Sequence, residues 1–347
     1  MNKKRHEEPA KMADIAKLAG VSASTVSRAL AGSPLVAAAK REEIRRLARE
    51  RGYVVNTTAR NLRLQRTQAI SVAIPLGHES SQPLTDPFFT EMIGHLADCI
   101  TQRGYGMHLQ KIVPPMDDWL QSLIASQKSD GIIVVGQSTE HAALEDVAAD
   151  YRPLVVWGGR LQRQSYCTVG TDNVAGAMAA VQHLIGRGRR RILFLGDPSV
   201  PEIGLRYQGF QLAHERAAQG GATQLVPGLH PRHVDAHLTV TTAYEAMRAY
   251  IRSGEKFDAV FGASDVIALS AVRALIAAGM SVPGDVAVVG FDDIAMAAHA
   301  NPPLSTVRQD VQRGASLLVD ALFRRMDGED TPSSTMPAEL IVRESSG

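Results

Sequence analysis

Only two cysteines occur in the 347 residues, Cys99 and Cys167, and no CxxC pair is present. That leaves no disulfide framework and suits a reducing compartment. Aromatic residues are scarce, at 5%. No apolar run approaches the ~20 residues that cross a bilayer. The charged start Met1-Asn2-Lys3-Lys4-Arg5-His6-Glu7-Glu8 lacks the apolar stretch of an export signal. A cytoplasmic protein without a membrane partner is therefore expected. The signatures of common enzymes are missing as well: no GxGxxG follows the first apolar strand, and there is no Walker loop, HExxH or GxSxG. Neither an enzyme nor a bound cofactor is expected. His230, His233 and His237 are irregularly spaced around Pro231, without an accompanying cysteine or carboxylate pattern, so they read as a solvated loop rather than a metal site.

A net charge of only +1 conceals a strong polarity. Residues 1 to 66 hold fifteen Lys or Arg against six Asp or Glu, whereas the remainder holds 22 against 30. A basic head on an acidic body is the footprint of a polyanion partner, confined to one segment. A membrane-surface arm would also be basic, but the head lacks a broad apolar stripe with aromatic anchors.

The head also carries a helix pair. Met12, Ile15, Ala16 and Ala19 recur at i, i+3, i+4 and i+7 and line one helix face. Gly20 ends that helix, because glycine reaches the left-handed conformation without a Cβ penalty, and Ser22 is a good cap for the next. Val26 and Leu30 supply the apolar side of the second helix. Two helices meeting across a tight turn form a helix-turn-helix. A third helix is expected over 37–51, with Ile44, Leu47 and Ala48 inward, Arg41, Arg45, Arg46 and Arg49 around the outside, and Gly52-Tyr53 closing it. Asn56 then caps a helix of about eight residues, which is marginal by itself in water.

From Ala69 onward, short apolar runs alternate with helical patterns. Residues 69–74, 131–135, 154–157, 191–195, 258–261 and 286–289 read as buried parallel strands. Gly104, Gly186, Gly279 and Gly328 stand where the intervening helices must stop. This alternation predicts doubly wound parallel sheets. The basic run Arg187-Gly188-Arg189-Arg190-Arg191 falls between a helix end and a strand and reads as a solvated turn, not a second DNA site.

The order Asp14-Ile15-Ala16, Ala19-Gly20-Val21-Ser22, Thr25-Val26-Ser27-Arg28, Gly52-Tyr53, Asn56 and Ala59-Arg60-Asn61-Leu62 resembles the LacI/GalR family of bacterial transcription regulators over almost the whole chain. The resemblance implies an all-α helix-turn-helix head (1–55), a hinge helix and linker (56–67), and an α/β body like that of periplasmic sugar-binding proteins (68–347). The body would comprise two doubly wound subdomains, one of about 68–168 plus 302–328 and the other of about 169–301 plus 329–347. By the same match the second helix enters the major groove. Ala23, Ser24 and Arg28 become the base readers, Arg28 through a two-pronged contact to guanine. Ser22, Thr25 and Ser27 meet phosphates. Leu62, with Ala59, matches the hinge wedge that enters the minor groove and kinks the duplex. The family usually has Asn, Ser and Thr where Ala31, Ala37 and Lys40 stand, so contacts near Ala31 are not carried over, and the third helix loses a polar cap.

In the body, the resemblance rests on Asp86-Pro87-Phe88-Phe89, Thr171-Asp172-Asn173, Arg206-Tyr207-Gln208-Gly209-Phe210, Ser264-Asp265 and Gly290-Phe291-Asp292-Asp293. It implies an effector cleft lined by Asp86, Phe88, Phe89, Trp157, Arg206, Ser264, Asp265 and Asp292. Arg206 would donate to hydroxyls, Asp292 accept from them, and Phe88, Phe89 or Trp157 cover an apolar sugar face. Members of the family commonly have Asp near Gly158, so the contacts there must differ. A dimer on a palindromic operator is expected, since residues 339–347 bring no leucine-heptad helix. The expected function is sequence-specific DNA binding, with repression as the default, controlled by a small sugar or sugar-like molecule. The alternative is a transport module, which would share the cleft but have no use for a basic head.

Overall fold

A computed structural model describes residues 11–30, 32–53, 66–113, 118–219 and 229–347. The chain divides into two compact units, 1–67 and 68–347, each treated by itself.

In the head, α1 (Met12–Leu18), α2 (Ala23–Leu30) and α3 (Ala38–Glu50) pack around Ile15, Ala16, Ala19, Val26, Ala29, Val36 and Ile44. Gly20 and Gly52 have φ of +64° and +62°, and the residue after each bonds back into the helix it closes, Val21 to Ala16 and Tyr53 to Ala48. Leu30 is only half-buried, and Ala29 takes the inward place beside Val26. The small alanine lets α2 approach its neighbours closely. The N-cap of α3 is Ala37, which gives no side-chain cap, as its residue type requires.

The body begins with β1 (Ala69–Pro75), β2 (Gly106–Ile112), β3 (Gly131–Val135), β4 (Leu154–Trp157) and β5 (Cys167–Thr171) in a first sheet. A second sheet holds β6 (Ile192–Leu195), β7 (Arg232–Val234), β8 (Ala259–Gly262), β9 (Ala287–Asp292) and β10 (Ser305–Arg308). Two short strands, β11 (Ser334–Met336) and β12 (Glu339–Ile341), then return to the first and second sheets respectively. The orders are β11-β5-β4-β3-β1-β2 and β12-β10-β9-β8-β6-β7. Every pairing is parallel except β12 on β10. The connecting helices are α4 (Pro87–Gln102), α5 (Trp119–Ala125), α6 (His141–Ala148), α7 (Asn173–Gly186), α8 (Pro201–Ala218), α9 (Val240–Arg252), α10 (Asp265–Ala277), α11 (Ala295–His299) and α12 (Val311–Met326).

Period-two alternation explains why helices cover both faces. In β3, Ile133 and Val135 join the core beneath α4 and α12, while Ile132 and Val134 join the one beneath α5 and α6. A strand apolar at every position has no face to offer water.

The subdomain boundaries differ from those expected. The expected first subdomain includes 302–328, but β10 pairs with β9 in the second sheet, and the chain crosses back only before α12. The expected second subdomain includes 329–347, but β11 pairs with β5 in the first sheet. The first crossing likewise follows Thr171, since β5 completes its ladder with β4. These strands are three to five residues long and partly polar, so they lack the apolar run that marks the central strands. Gly186 lies inside α7. The left-handed residue after that helix is Gly188, with φ of +88°.

Candidate functional site

The exposed side of α2 carries the side chains expected to meet DNA. Ser22 Oγ accepts from the Thr25 amide at 3.2 Å and lies 2.8 Å from Ser24 Oγ. This closes the first turn and orients the hydroxyls outward. Ala23, Ser24 and Arg28 are exposed, and Thr25 and Ser27 are half-buried at the flank. On α3 the cations are engaged locally. Arg46 pairs with Glu50 at 2.8 Å, and Arg49 with Glu42 at 3.1 Å. Arg41 donates to the carbonyls of Gly32 and Ser33 and so ties the loop before α3 to the helix. Leu62, Ala59, Asn56 and the rest of the expected hinge lie outside the described residues.

In the body, a cleft of about 760 Å³, counting space open to solvent, lies where strand ends of both sheets face each other. That is where ligands bind in open α/β sheets. Its first-sheet wall includes Pro75, His78, Gln82, Asp86, Phe88, Phe89, Ser138, Trp157 and Gly158; its second-sheet wall includes Val200, Glu202, Ile203, Arg206, Leu238, Ser264 and Asp292. Asn173 and Gln309, next to crossovers, also line it.

Arg206 is the most constrained cation. Its Nε donates to Asn173 Oδ1 at 2.8 Å and its Nη1 to the Ala263 carbonyl at 2.5 Å. The guanidinium sits 3.8 Å from the centre of the Phe291 ring and 3.5 Å from Asp292 Oδ1. Asp292 ends β9 with φ of +122° and accepts from Gln309 Nε2 at 2.7 Å. Burial pushes its carboxyl up to about 6, with Arg206 pulling the other way. Burial likewise raises Asp86 and lowers Arg206. With Nε and Nη1 engaged by the protein, Arg206 has Nη2 left to donate beside an acceptor, suited to adjacent hydroxyls.

Phe88 lies 6.2 Å from Trp157 and 5.8 Å from Phe89, ring centre to ring centre. Trp157 is itself backed by α12, where a Cβ on Gly314 would fall 2.2 Å from the indole. The Trp157 part of this aromatic wall is therefore closely backed.

Asp265 differs from expectation. It is fully buried and does not line the cleft. Its carboxylate accepts from Thr306 Oγ1 at 2.5 Å and the Ile294 amide at 2.9 Å, holding the turn after β9. Its neighbour Ser264 faces the cleft while capping α10 through the Ile267 amide at 3.3 Å.

The space near Gly158 is filled by Gln137. A Cβ there would lie 2.7 Å from Gln137 Oε1, so no side chain fits without displacing it. Gln137 Nε2 donates to the Gly159 carbonyl at 2.9 Å and to Tyr166 Oη at 2.8 Å. Its amide crosses the cleft to Glu202 Oε1 at 2.8 Å. Sequence reasoning missed Gln137, Glu202, His78 and Gln82. Only Asn173, within Thr171-Asp172-Asn173, carried a sequence signal.

His230, His233 and His237 do not converge, and no group of three metal-ligating side chains forms among the described residues. His233 Nε2 instead lies 3.0 Å from the Gly196 carbonyl. In the basic turn, Arg189 donates to the carbonyls of Pro283, Gly284 and Asp285. No described helix is long and apolar enough to cross a membrane.

Comparison with known proteins matches this division. The family of bacterial regulatory proteins, lacI family, matches residues 11–56, and the periplasmic binding protein-like domain matches residues 181–346. The HTH-type transcriptional regulator CelR of Thermobifida fusca is 32% identical over 342 residues, covering 95% of this chain and 96% of its own. The HTH-type transcriptional repressor CytR of Escherichia coli strain K12 is 29% identical over 351 residues, covering 99% and 98%. Among solved structures, a Lac repressor dimer bound to operator and the anti-inducer ONPF superposes with a TM-score of 0.83 at 22% identity, covering 98% of this chain and 99% of that one. A CelR–cellobiose complex gives 0.67 at 30% identity, covering 97% and 99%. With a helix-turn-helix head, a two-sheet cleft and a relative this similar along its full length, the chain belongs to the lacI family of bacterial regulatory proteins and is a DNA-binding transcription regulator.

Proposed function

We propose that the protein is a cytoplasmic repressor without enzymatic activity, that it binds a palindromic operator as a homodimer, and that a small sugar or sugar derivative in the body's cleft controls it. The observation that carries the sugar reading is the fixed Arg206–Asp292 pair beside the aromatic wall of Phe88, Phe89 and Trp157. A polyol presents both hydroxyls and an apolar ring face to such a surface. The solved cellobiose complex of CelR supports the same reading. In the head, Ala23, Ser24 and Arg28 read bases, Ser22, Thr25 and Ser27 hold phosphates, and Leu62 with Ala59 wedges the minor groove. The effector acts through its unequal affinity for the DNA-competent and DNA-incompetent forms.

Selection of bound fragments from a genomic library of the source organism, with purified protein in moderate salt, tests the DNA half. A recurring palindrome is expected, and its neighbouring genes nominate the effector. Failure to enrich any sequence, with or without sugar extracts, would overturn the reading of residues 1 to 67. On the palindrome, Leu62→Ala should weaken operator binding and leave effector binding intact; unchanged operator affinity removes the wedge role.

A further inference from the structure

The two lobes of the body, one on each sheet, touch beside the cleft along a seam between the start of α8 and two loops of the first sheet. Just past β3, the Gln137 amide donates to Glu202 Oε1 at 2.8 Å. Just past β4, a Cβ on Gly159 would run into Leu205 Cδ1 of α8. Glu79 and His237, each next in sequence to a cleft-lining residue, add a third bridge, with Nδ1 3.8 Å from Oε2. The His237 side chain is exposed, so that pair contributes little.

The first-lobe side of the seam is built as one piece. The buried Gln137 side chain donates from Nε2 to the Gly159 carbonyl and to Tyr166 Oη, which ties the loops after β3 and β4 together. Gly159 is buried, and its backbone is not in the left-handed conformation that calls for glycine. What requires a bare residue there is the space that Leu205 occupies. On the other side, Glu202 stands in the first turn of α8, where a carboxylate also suits the positive end of the helix. It lines the cleft while it accepts from the opposite lobe. Ligand contact and the hold on the other lobe thus meet in one side chain.

We propose that Glu202 and Gly159 are positioning residues that set the resting angle between the lobes: the carboxylate holds the first lobe through the Gln137 amide, and the bare glycine lets α8 come close enough to be held. A hydrogen bond to a charged group is strong enough to shift a two-state lobe equilibrium roughly tenfold or more. An effector that enters the wider form binds more weakly in proportion to the fraction of molecules found there, so the seam sets how much effector the switch needs. That regulatory meaning rests on the reading of the cleft as the effector site; the seam itself does not.

The test is the distance between spin labels on the two lobes of the full chain without effector, at Gln121→Cys of α5 and Glu245→Cys of α9 in a Cys99→Ser background. Both label sites are exposed. Wild type is expected to give one dominant distance. Glu202→Ala should shift the ratio toward a second, longer distance by roughly tenfold or more. Gly159→Phe, too large for Leu205 to clear by turning aside, should populate the same longer distance; if it does not fold, Leu205→Trp overfills the same gap. Glu202→Gln keeps an oxygen for the Gln137 amide and should match wild type, which separates the hydrogen bond from the charge. An unchanged distance in Glu202→Ala or in the overfilled variant overturns the proposal, as does a Glu202→Gln protein that behaves like Glu202→Ala. Thermal melting with cellobiose, maltose and lactose reads the cleft separately, and silence from all three bears on the sugar reading alone.

Discussion

At the scale of single residues, the cleft is a place where burial decides which charges survive. Asp292 is held by Arg206 and Gln309, yet its carboxyl is pushed up to about 6 by desolvation. The folded form thus binds a proton before the unfolded chain does, so this residue favours folding as pH falls from 7 toward the ordinary carboxylate range. Effector binding should show the opposite sign, because only the ionised form accepts two hydroxyl protons. Affinity should be flat above pH 7 and fall below about 6, approaching tenfold per pH unit. Asp292→Asn should flatten that slope in calorimetric titrations from pH 5 to 8, and a slope that persists would reassign it. The positions of Arg206 and Asp292 in the cleft wall were legible in the sequence because each stands in a motif that fixes its place. His78, Gln82 and Gln137 were not, since loop residues have no periodicity and their roles arise from the chain segments folded over them. Asp265 shows the reverse error. It sits in a recognisable motif, but as the first residue of α10 its side chain turns inward to Thr306 and Ile294.

At the scale of elements, strands and helices were legible in proportion to their apolar content. The central strands β1, β3, β4, β6, β8 and β9 are buried along their whole length and announce themselves as apolar runs. The edge strand β2 exposes most of its residues, and β10 to β12 are short and partly polar. Those strands exist because a neighbouring ladder offers unpaired amides and carbonyls, which local sequence does not report. Two variants test the packing of single elements. The N-cap of α3 is Ala37, so Ala37→Ser should stabilise the head by about 0.5–2 kcal/mol, visible in its melting; no gain would mean that the serine hydroxyl does not reach the free amides of the first turn. Gly209 of α8 lies where a Cβ would fall 2.3 Å from the Val174 carbonyl on α7. Gly209→Ala should therefore force the two helices apart and cost about 1–3 kcal/mol, read in urea unfolding of the body. A neutral result would show that α7 yields.

At the scale of the whole molecule, the division of charge and the division of structure coincide near residue 67. The basic unit should bind DNA largely through phosphates, and operator affinity should drop on the order of a thousandfold between ~50 and ~200 mM salt, measured by anisotropy with a labelled operator. A protein lacking residues 1–67 should keep its sugar-dependent melting shift and lose DNA binding altogether. If it kept operator affinity, the head would not be the reader.

The return of β11 to one sheet and β12 to the other has a consequence for synthesis. During translation the head leaves the ribosome first and can fold from local contacts. Each lobe, by contrast, lacks a border strand until residues 334–341 have emerged, long after its central strands are made. A ribosome stalled in the second half of the message therefore displays a finished reader attached to two unfinished lobes. Such a fragment would carry a single head without a completed cleft, and its lobes would each present an uncovered sheet edge. The threading thus makes both lobes of the body complete together and last.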